Sequence, residues 1–508
     1  MRLTLFVILW AAVATGAVPP KTDVVVIGAG LSGLAAGREL VRAGVPFHVL
    51  EISPRVGGRV RTVRYEREGE SISVDSGMEE YWESNPAVAI LKELGLAARI
   101  DIALSSLVLD GKLQALGDES GEKFQNRILG AEGYKALGRF KASLSAWLEK
   151  LKVRPLPPDV IKLKDQSFAA WIEEQKLPRK VSEWVRVSIE CEIGTGWERI
   201  SALDGIAEMH IFAGGGEKAV RVLDGNDRFT EALADAVGRA NISVDRRVTS
   251  VRTSGKTVRV GYLDQEKNLS GTIEAAWVIS TIPLYRLFEV QFEPPLSETK
   301  RRAIETMGWG SYFKAHIFLP AAAERFWKKS GTSILPILSD SKLGVIYDGT
   351  PEAKGKWRVI SLLITGDHAE HFNLTPLDGV RAELGEALEA FWPGIKGQIK
   401  GIEFYRYHPR AIAAWPPGRS RFDELSEAVR EAEHRVHLAG DFTESSHSDG
   451  AFLSASRAVS LILGERARLR AEISDSTDSS SLRAPTGGEA THPAAKVASP
   501  PVGARNDE

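Results

Sequence analysis

Three glycines at GxGxxG spacing, Gly28, Gly30 and Gly33, follow a short β-branched run from Asp23 to Ile27 and precede a helical pattern from Leu34 to Ala43. Each glycine serves a distinct purpose. Gly28 permits a tight turn, Gly30 lets backbone approach a pyrophosphate, and Gly33 lets the helix pack close to the strand. The phosphates would sit over Leu31 and Ser32, at a helix N-terminus where free N–H groups and the dipole favour negative charge. Gly44 suits the helix C-cap. A second apolar run, Pro46 to Leu50, then ends on Glu51, 23 positions after Gly28 (51 − 28), an acid placed to accept hydrogen bonds from ribose hydroxyls. Strand, glycine turn, helix and strand make a dinucleotide clamp.

A second glycine pair and a fixed cation, Gly57, Gly58 and Arg59 in RVGGRVRT, come just after the ribose acid. Near the other end of the chain, VHLAGD is a strand ending in Gly440 and Asp441, and GAFLSASRAV starts a helix at Gly450. With DVVVIGAGLSGL and VLE, these segments resemble the flavin-containing amine oxidase superfamily: monoamine, polyamine and L-amino acid oxidases, with protoporphyrinogen oxidases and carotenoid desaturases as more distant relatives.

The resemblance covers roughly residues 22–465 and implies an α/β fold, with a Rossmann-like FAD-binding domain of the GR2, p-hydroxybenzoate hydroxylase-like type and an α+β substrate-binding domain. Residues 22–100, 215–290 and 425–470 would form the first domain, 101–214 and 291–424 the second. The resemblance places Arg59 against the FAD pyrophosphate and Val248 at the adenosine half through backbone groups. It places Gly440 and Asp441 near the ribityl and phosphate groups, and Gly450, Ala451 and Phe452 at a helix start facing the pyrimidine end of the flavin. Some monoamine oxidases hold flavin through a cysteine in the C-terminal third; this chain has none there, so FAD is expected to be non-covalent.

Two catalytic candidates follow from the same resemblance. Lys314, in MGWGSYFKAHIFL, matches a lysine that holds a water beside flavin N5, where a cation favours negative charge on the reduced ring. Trp415, in RAIAAWPPGRSRF, matches a region that supplies an aromatic wall on the substrate side, with Tyr405 and Tyr407 as a second wall. Glu79, Glu80, Tyr81 and Trp82 follow an acid–x–glycine turn, Asp75 to Gly77, where relatives often line the cavity. Trp147, Trp171 and Trp184 read as core, and His447 as a loop histidine. The reaction implied is hydride removal from the carbon beside an uncharged amine nitrogen to flavin N5, then imine hydrolysis, with oxygen reduced to hydrogen peroxide. A desaturase or porphyrinogen-type oxidase on a larger apolar substrate is the alternative, and it calls for a broad cavity without anionic groups. No metal is expected.

The elements that position these residues alternate in character. After the clamp, residues from about 100 to 214 read as mainly helical, 222–283 return to strands and a helix of nucleotide-binding type, and 291–424 read as a sheet under the substrate cavity. The chain of 508 residues is 43% hydrophobic, ample for several cores, and its net charge of −2 gives no reason to expect a nucleic acid or an anionic membrane as partner.

Residues 1–20, MRLTLFVILWAAVATGAVPP, have the architecture of a secretory signal, cleavable after Ala14 or Ala17, so export to the periplasm or medium is expected. A membrane anchor would require residues 3–14 to be retained, and that run is short against the ~20 residues a bilayer needs. Cys191 is the sole cysteine, which excludes an intramolecular disulfide. From residue 471 the chain is rich in Ser, Pro, Ala and Gly, and a disordered tail is expected.

Overall fold

The computed structural model describes residues 17–102, 105–210, 212, 218–329, 331–406 and 410–481. The chain separates into a unit ending at Val459 and a second beginning at Ser460. Every strand belongs to the first.

Val24–Ile27 is apolar in all four positions because it is covered on both faces, the condition of a central parallel strand. It lies in the middle of a five-stranded sheet ordered Ile242–Ser243, Phe47–Leu50, Val24–Ile27, Trp277–Ser280 and Val436–Leu438, with every neighbouring pair parallel. All five strands therefore end at one edge. Gly28, Glu51, Thr281 and the Gly440–Asp441 turn follow four of these ends, so residues more than 400 positions apart (440 − 28 = 412) open on a common crevice. Beside it lies a four-stranded sheet of Leu269–Ala275, Thr257–Asp264, Arg246–Ser254 and Gln291–Glu293.

A second, mixed sheet of seven strands runs Gly401–Arg406, Tyr312–Pro320, Trp357–Thr365, Val345–Asp348, Ile337–Leu338, Ser106–Leu109 and Lys112–Gln114. Most of it follows the alternating and apolar runs of 291–424. The last two strands do not: they come from the stretch expected to be mainly helical. Their signal is a two-residue Asp110–Gly111 turn with both residues at positive φ, which closes the hairpin Leu107–Gln114. Ala98–Ile102 likewise pairs with Lys218–Val222. Gln291–Glu293 extends the nucleotide-side sheet past residue 290.

Between these strands the helices Gly121–Lys150, Phe168–Glu174, Arg179–Ile193 and Ala202–Glu208 pack around Phe140, Phe168, Trp171, Ile189 and Leu203. Gly130, at φ +71°, kinks the first of them. The helix beginning at Ser448 runs to Ser481, so residues 471–481 are helical where a disordered tail was expected. The rest of that tail, residues 1–16 of the expected signal, and Tyr407 lie outside the described residues.

Candidate active site

The crevice opens into one cavity of about 1550 Å³, whose wall runs from Gly28 and Glu51 to Trp184, Tyr347 and His447. At the crevice end, Gly28 has φ +101°, and a Cβ on Gly33 would stand 1.9 Å from the Gly28 carbonyl oxygen, so neither position tolerates a side chain. A Cβ on Gly58 would stand 3.2 Å from Gly30 Cα, which shows how closely the two glycine turns approach. The helix Leu31–Arg42 starts here with Gly30 as N-cap, no side chain capping it and no acid in its first turn. Its free N–H groups face the cavity at Gly30, Leu31 and Ser32, a cradle for phosphate.

Glu51 is fixed from both sides. One carboxylate oxygen accepts the Ala29 N–H (2.6 Å); the other accepts the Ser53 N–H (2.8 Å) and hydroxyl (2.7 Å). The oxygen that accepts only Ala29 keeps a second lone pair for a ribose hydroxyl. Arg59 donates two hydrogen bonds to Asp441, both at 2.7 Å, and one to the Ala411 carbonyl (2.8 Å). This bidentate pair joins the N- and C-terminal clamp segments directly. Val248 lines the cavity beside a bulge, where the register slips between Val248 and Ser250. A glycine cradle, an uncapped helix start, a fixed ribose acid and an Arg59–Asp441 lock fit FAD.

Of the expected cofactor residues, Gly28, Gly30, Leu31, Ser32, Glu51, Gly57, Gly58, Arg59, Val248, Gly440, Asp441 and Ala451 line the cavity; Gly33, Gly450 and Phe452 stand behind its wall. Gly450 serves close packing, since a Cβ there would meet the Ser445 carbonyl oxygen at 2.2 Å. Phe452 stacks on Phe229, with ring centroids 6.1 Å apart.

The two catalytic candidates fare differently. Lys314 is fully buried in strand Tyr312–Pro320, just behind the wall; its Nζ donates to the Gly77 carbonyl (2.8 Å) and pairs with Glu79 (2.7 Å), both wall residues. Trp415 is a core residue and not an aromatic wall. It is fully buried among Ala413, Val429 and Phe442, and its indole N–H donates to Ser426 Oγ (3.1 Å). The physical reason is local: the short strand Ile412–Ala414, paired with Gly308–Gly310, presents Ala411 and Ile412 to the cavity and turns Trp415 inward. Tyr405 sits under Arg61 and off the wall. Trp184, read as core, lines the cavity, as does Trp82, whereas Tyr81 is buried against Phe229.

Charge dominates the far chamber. Glu80 takes two hydrogen bonds from Arg221 (2.7 and 3.2 Å), and Glu79 lies between Arg221 (3.6 Å) and Lys314. These two acids and two cations balance. Asp75, behind them, is raised to about 6 by burial and by the Glu79 charge. A second cluster does not balance. Asp204 and Glu208 both bind Arg421; Glu208 also accepts from Ser446 and pairs with His447 Nδ1 (3.0 Å), whose Nε2 pairs with Glu192 (2.9 Å). Burial alone would lower His447, but Glu208 and Glu192 outweigh it and hold the imidazolium well above the ordinary histidine range. Burial would likewise raise Glu208, yet Arg421 and His447 hold it well below the carboxylate range. Three carboxylates against two cations leave one negative charge. Glu192 and Glu208 both line the cavity, and Glu192, its side chain 34% exposed against 2% for Glu208, is the more open of the two.

His447 is thus a loop residue whose side chain faces the cavity. The sequence does not single out Glu192 and Glu208. Their signal is faint: Asp204 and Glu208 stand four apart in a helix otherwise made of Ala202, Leu203, Gly205, Ile206 and Ala207, so acids on one face have no solvent side to occupy. The partner Arg421 lies more than 200 positions away. Cys191 also reaches the cavity, but burial pushes its thiol up to about 12, which leaves it unreactive.

The profile of a family described as flavin containing amine oxidoreductase matches residues 31–463. AofH of Mycobacterium tuberculosis, named as a flavin-containing monoamine oxidase, is 25% identical over 466 residues, covering 87% of this chain and 96% of that protein. An L-amino acid oxidase of Bothriechis schlegelii is 25% identical over 458 residues, covering 84% and 86%. Among solved structures, cyclohexylamine oxidase from Brevibacterium oxydans superposes with a TM-score of 0.71 at 20% identity, covering 88% of this chain and 99% of that one. Putrescine oxidase bound to putrescine gives a TM-score of 0.71 at 19% identity, covering 87% and 99%. At those identities the two structures share the fold.

Proposed function

Because the chain belongs to the flavin-containing amine oxidoreductase family and is an FAD-dependent oxidoreductase acting on amine donors, we propose that it oxidises a small amine at the carbon bearing nitrogen. FAD held by the glycine turns, Glu51 and the Arg59–Asp441 segment would supply the redox chemistry, as acceptor of a hydride and donor of electrons to oxygen. The observation that carries this reading is the unbalanced carboxylate at Glu192, in the same cavity as the glycine cradle.

The chain's own residues do the following. Glu192 attracts the substrate as its ammonium and accepts a hydrogen bond from its nitrogen; His447 and Glu208 hold Glu192 in place. Apolar walls at Phe124, Trp184 and Leu363 desolvate the substrate, which opposes the pull of Glu192 on the ammonium and lets its proton pass to that carboxylate, leaving the uncharged amine that hydride removal requires. Lys314 acts one shell back, fixing Glu79 and the Gly77 carbonyl at the wall. The resulting imine is released to water and hydrolysed to an aldehyde or keto product. The acids also argue against the desaturase or porphyrinogen reading, which calls for a chamber without anions.

The division into interleaved FAD-binding and substrate-binding domains, and the GR2-type assignment of the former, are part of this proposal. They are supported by the origin of the five-stranded sheet in residues 24–50, 242–280 and 436–438 and of the seven-stranded sheet in 106–114 and 312–406. Export rests on residues 1–20 alone; among the described residues, no helix is long and apolar enough to cross a membrane.

The test is anaerobic mixing of the purified flavoprotein with monoamines, polyamines, L-amino acids and polycyclic substrates, following loss of the oxidised flavin spectrum. Bleaching by an amine is expected. Bleaching by polycyclic compounds alone would overturn the reading.

A further inference from the structure

Past the kink at Gly130, the helix Gly121–Lys150 lines the cavity with Tyr134, Leu137, Gly138 and Lys141, positions i, i+3, i+4 and i+7 of one face. Lys141 is the cation of that face turned furthest into apolar surroundings. Its ammonium stands 5.1 Å from the ring centroid of Phe212, another wall residue. Among the described residues no carboxylate pairs with it. Burial alone acts on its proton affinity, and lowers it.

This contrasts with the buried cations that stand against the chamber's acids. Arg221 holds Glu80, Lys314 holds Glu79, Arg421 holds Asp204 and Glu208, and His447 lies between Glu208 and Glu192. A half-buried ammonium with no anion costs free energy that a ring face only partly offsets. A ligand carrying an anion would remove that cost. The chamber therefore offers an open carboxylate at Glu192 and, on the face of the kinked helix, a desolvated ammonium at Lys141.

We propose that Lys141 binds a carboxylate of the substrate, so that the substrate is an amino carboxylate whose nitrogen end is held at Glu192 and whose acid end is held at Lys141. This rests on the amine-oxidising reading above and narrows it. A monoamine would leave Lys141 unpaired; a polyamine would bring a second cation against it.

The experiment is anaerobic flavin reduction by holoenzyme with matched pairs, each alkylamine beside the amino carboxylate of the same chain length, from α-amino acids to 6-aminohexanoate. Wild type is expected to bind the better amino carboxylates at least about tenfold more tightly than their matched amines, a difference of about 1.4 kcal/mol. K141M should erase the preference while retaining flavin content, and K141R should keep part of it. Hexanoate, which has no amine to oxidise, should compete with substrate in wild type and not in K141M; this reads the site without turnover. Equal affinity for both members of each pair, or a preference that survives in K141M, overturns the proposal while leaving amine oxidation standing. Reduction by no member of either series overturns both.

Discussion

The two ends of the cavity are built from different materials. The crevice end is made largely of backbone, Gly28, Gly30, Gly57 and Gly58 and an uncapped helix start, with Glu51 and the Arg59–Asp441 pair as its fixed side chains. The chamber end is made of side chains: Glu79, Glu80 and Arg221 on one side, and Glu192, His447, Glu208 and Arg421 on the other. Backbone suits a ligand whose phosphates and hydroxyls do not vary, because N–H groups and close approach need only small residues at fixed spacing. Side-chain charge suits the end where one substrate must be told from another. The two ends should accordingly fail in different ways.

The largest effect is expected at the crevice. Gly33→Ala would force a Cβ to within 1.9 Å of the Gly28 carbonyl, backbone against backbone. A loss on the order of 4 kcal/mol is expected, the range of severe local conflicts, and the protein should purify without flavin, as judged by its visible spectrum. Glu208→Gln comes next. It leaves Arg421 and His447 buried with one carboxylate fewer but with Asp204 and Glu192 still beside them, for a cost of about 3 kcal/mol in urea unfolding. Flavin should nevertheless be retained. If Glu208→Gln emptied the crevice as Gly33→Ala does, the two ends would not be separable.

A smaller effect has a sign set by pH. His447 is raised above its unfolded value, so its contribution to stability is fully present below the ordinary histidine pKa of about 6.5 and is lost as pH rises through the folded value. His316 behaves oppositely. Burial, with Lys314 beside it, lowers it to about 3, so its contribution is present above about 6.5 and is lost as pH falls from there towards 3. Unfolding measured across pH should show both declines, and His447→Gln should flatten only the alkaline one. The smallest effect belongs to Trp415→Phe. Losing the hydrogen bond to Ser426 should cost about 1 kcal/mol of stability and leave kcat/KM for any amine unchanged. A large drop in kcat/KM at unchanged stability would return Trp415 to the wall.

The same contrast explains what is legible in the chain alone. The clamp is legible because its signal is local: three glycines, an acid and a second glycine pair within about forty positions, each required by a turn or a close approach. Lys314 falls in the expected strand, yet its ammonium points at Glu79 and Gly77 rather than into the cavity, since burial demands an anion and Glu79 is the nearest. Trp415 departs from expectation because the direction of a side chain after a three-residue strand depends on which neighbour that strand pairs with, here Gly308–Gly310. The hairpin at Asp110–Gly111 does carry a local signal, its turn dipeptide, inside a stretch dominated by helical periodicity. Glu208 has only the faint signal it shares with Asp204, and Glu192, His447 and Arg421 have none: four residues from four separate segments form one charge chain only after folding.

Glu192 is where recognition by charge can be tested most directly. Anaerobic titration of Glu192→Gln with the best-reducing amine separates binding, read from the concentration dependence, from the limiting rate of flavin reduction. The prediction is wild-type flavin content with amine affinity weakened about tenfold, as expected when a desolvated ammonium loses its carboxylate, about 1.4 kcal/mol. Unchanged amine affinity in a fully flavinated Glu192→Gln protein would contradict the claim that the chamber recognises its substrate by charge.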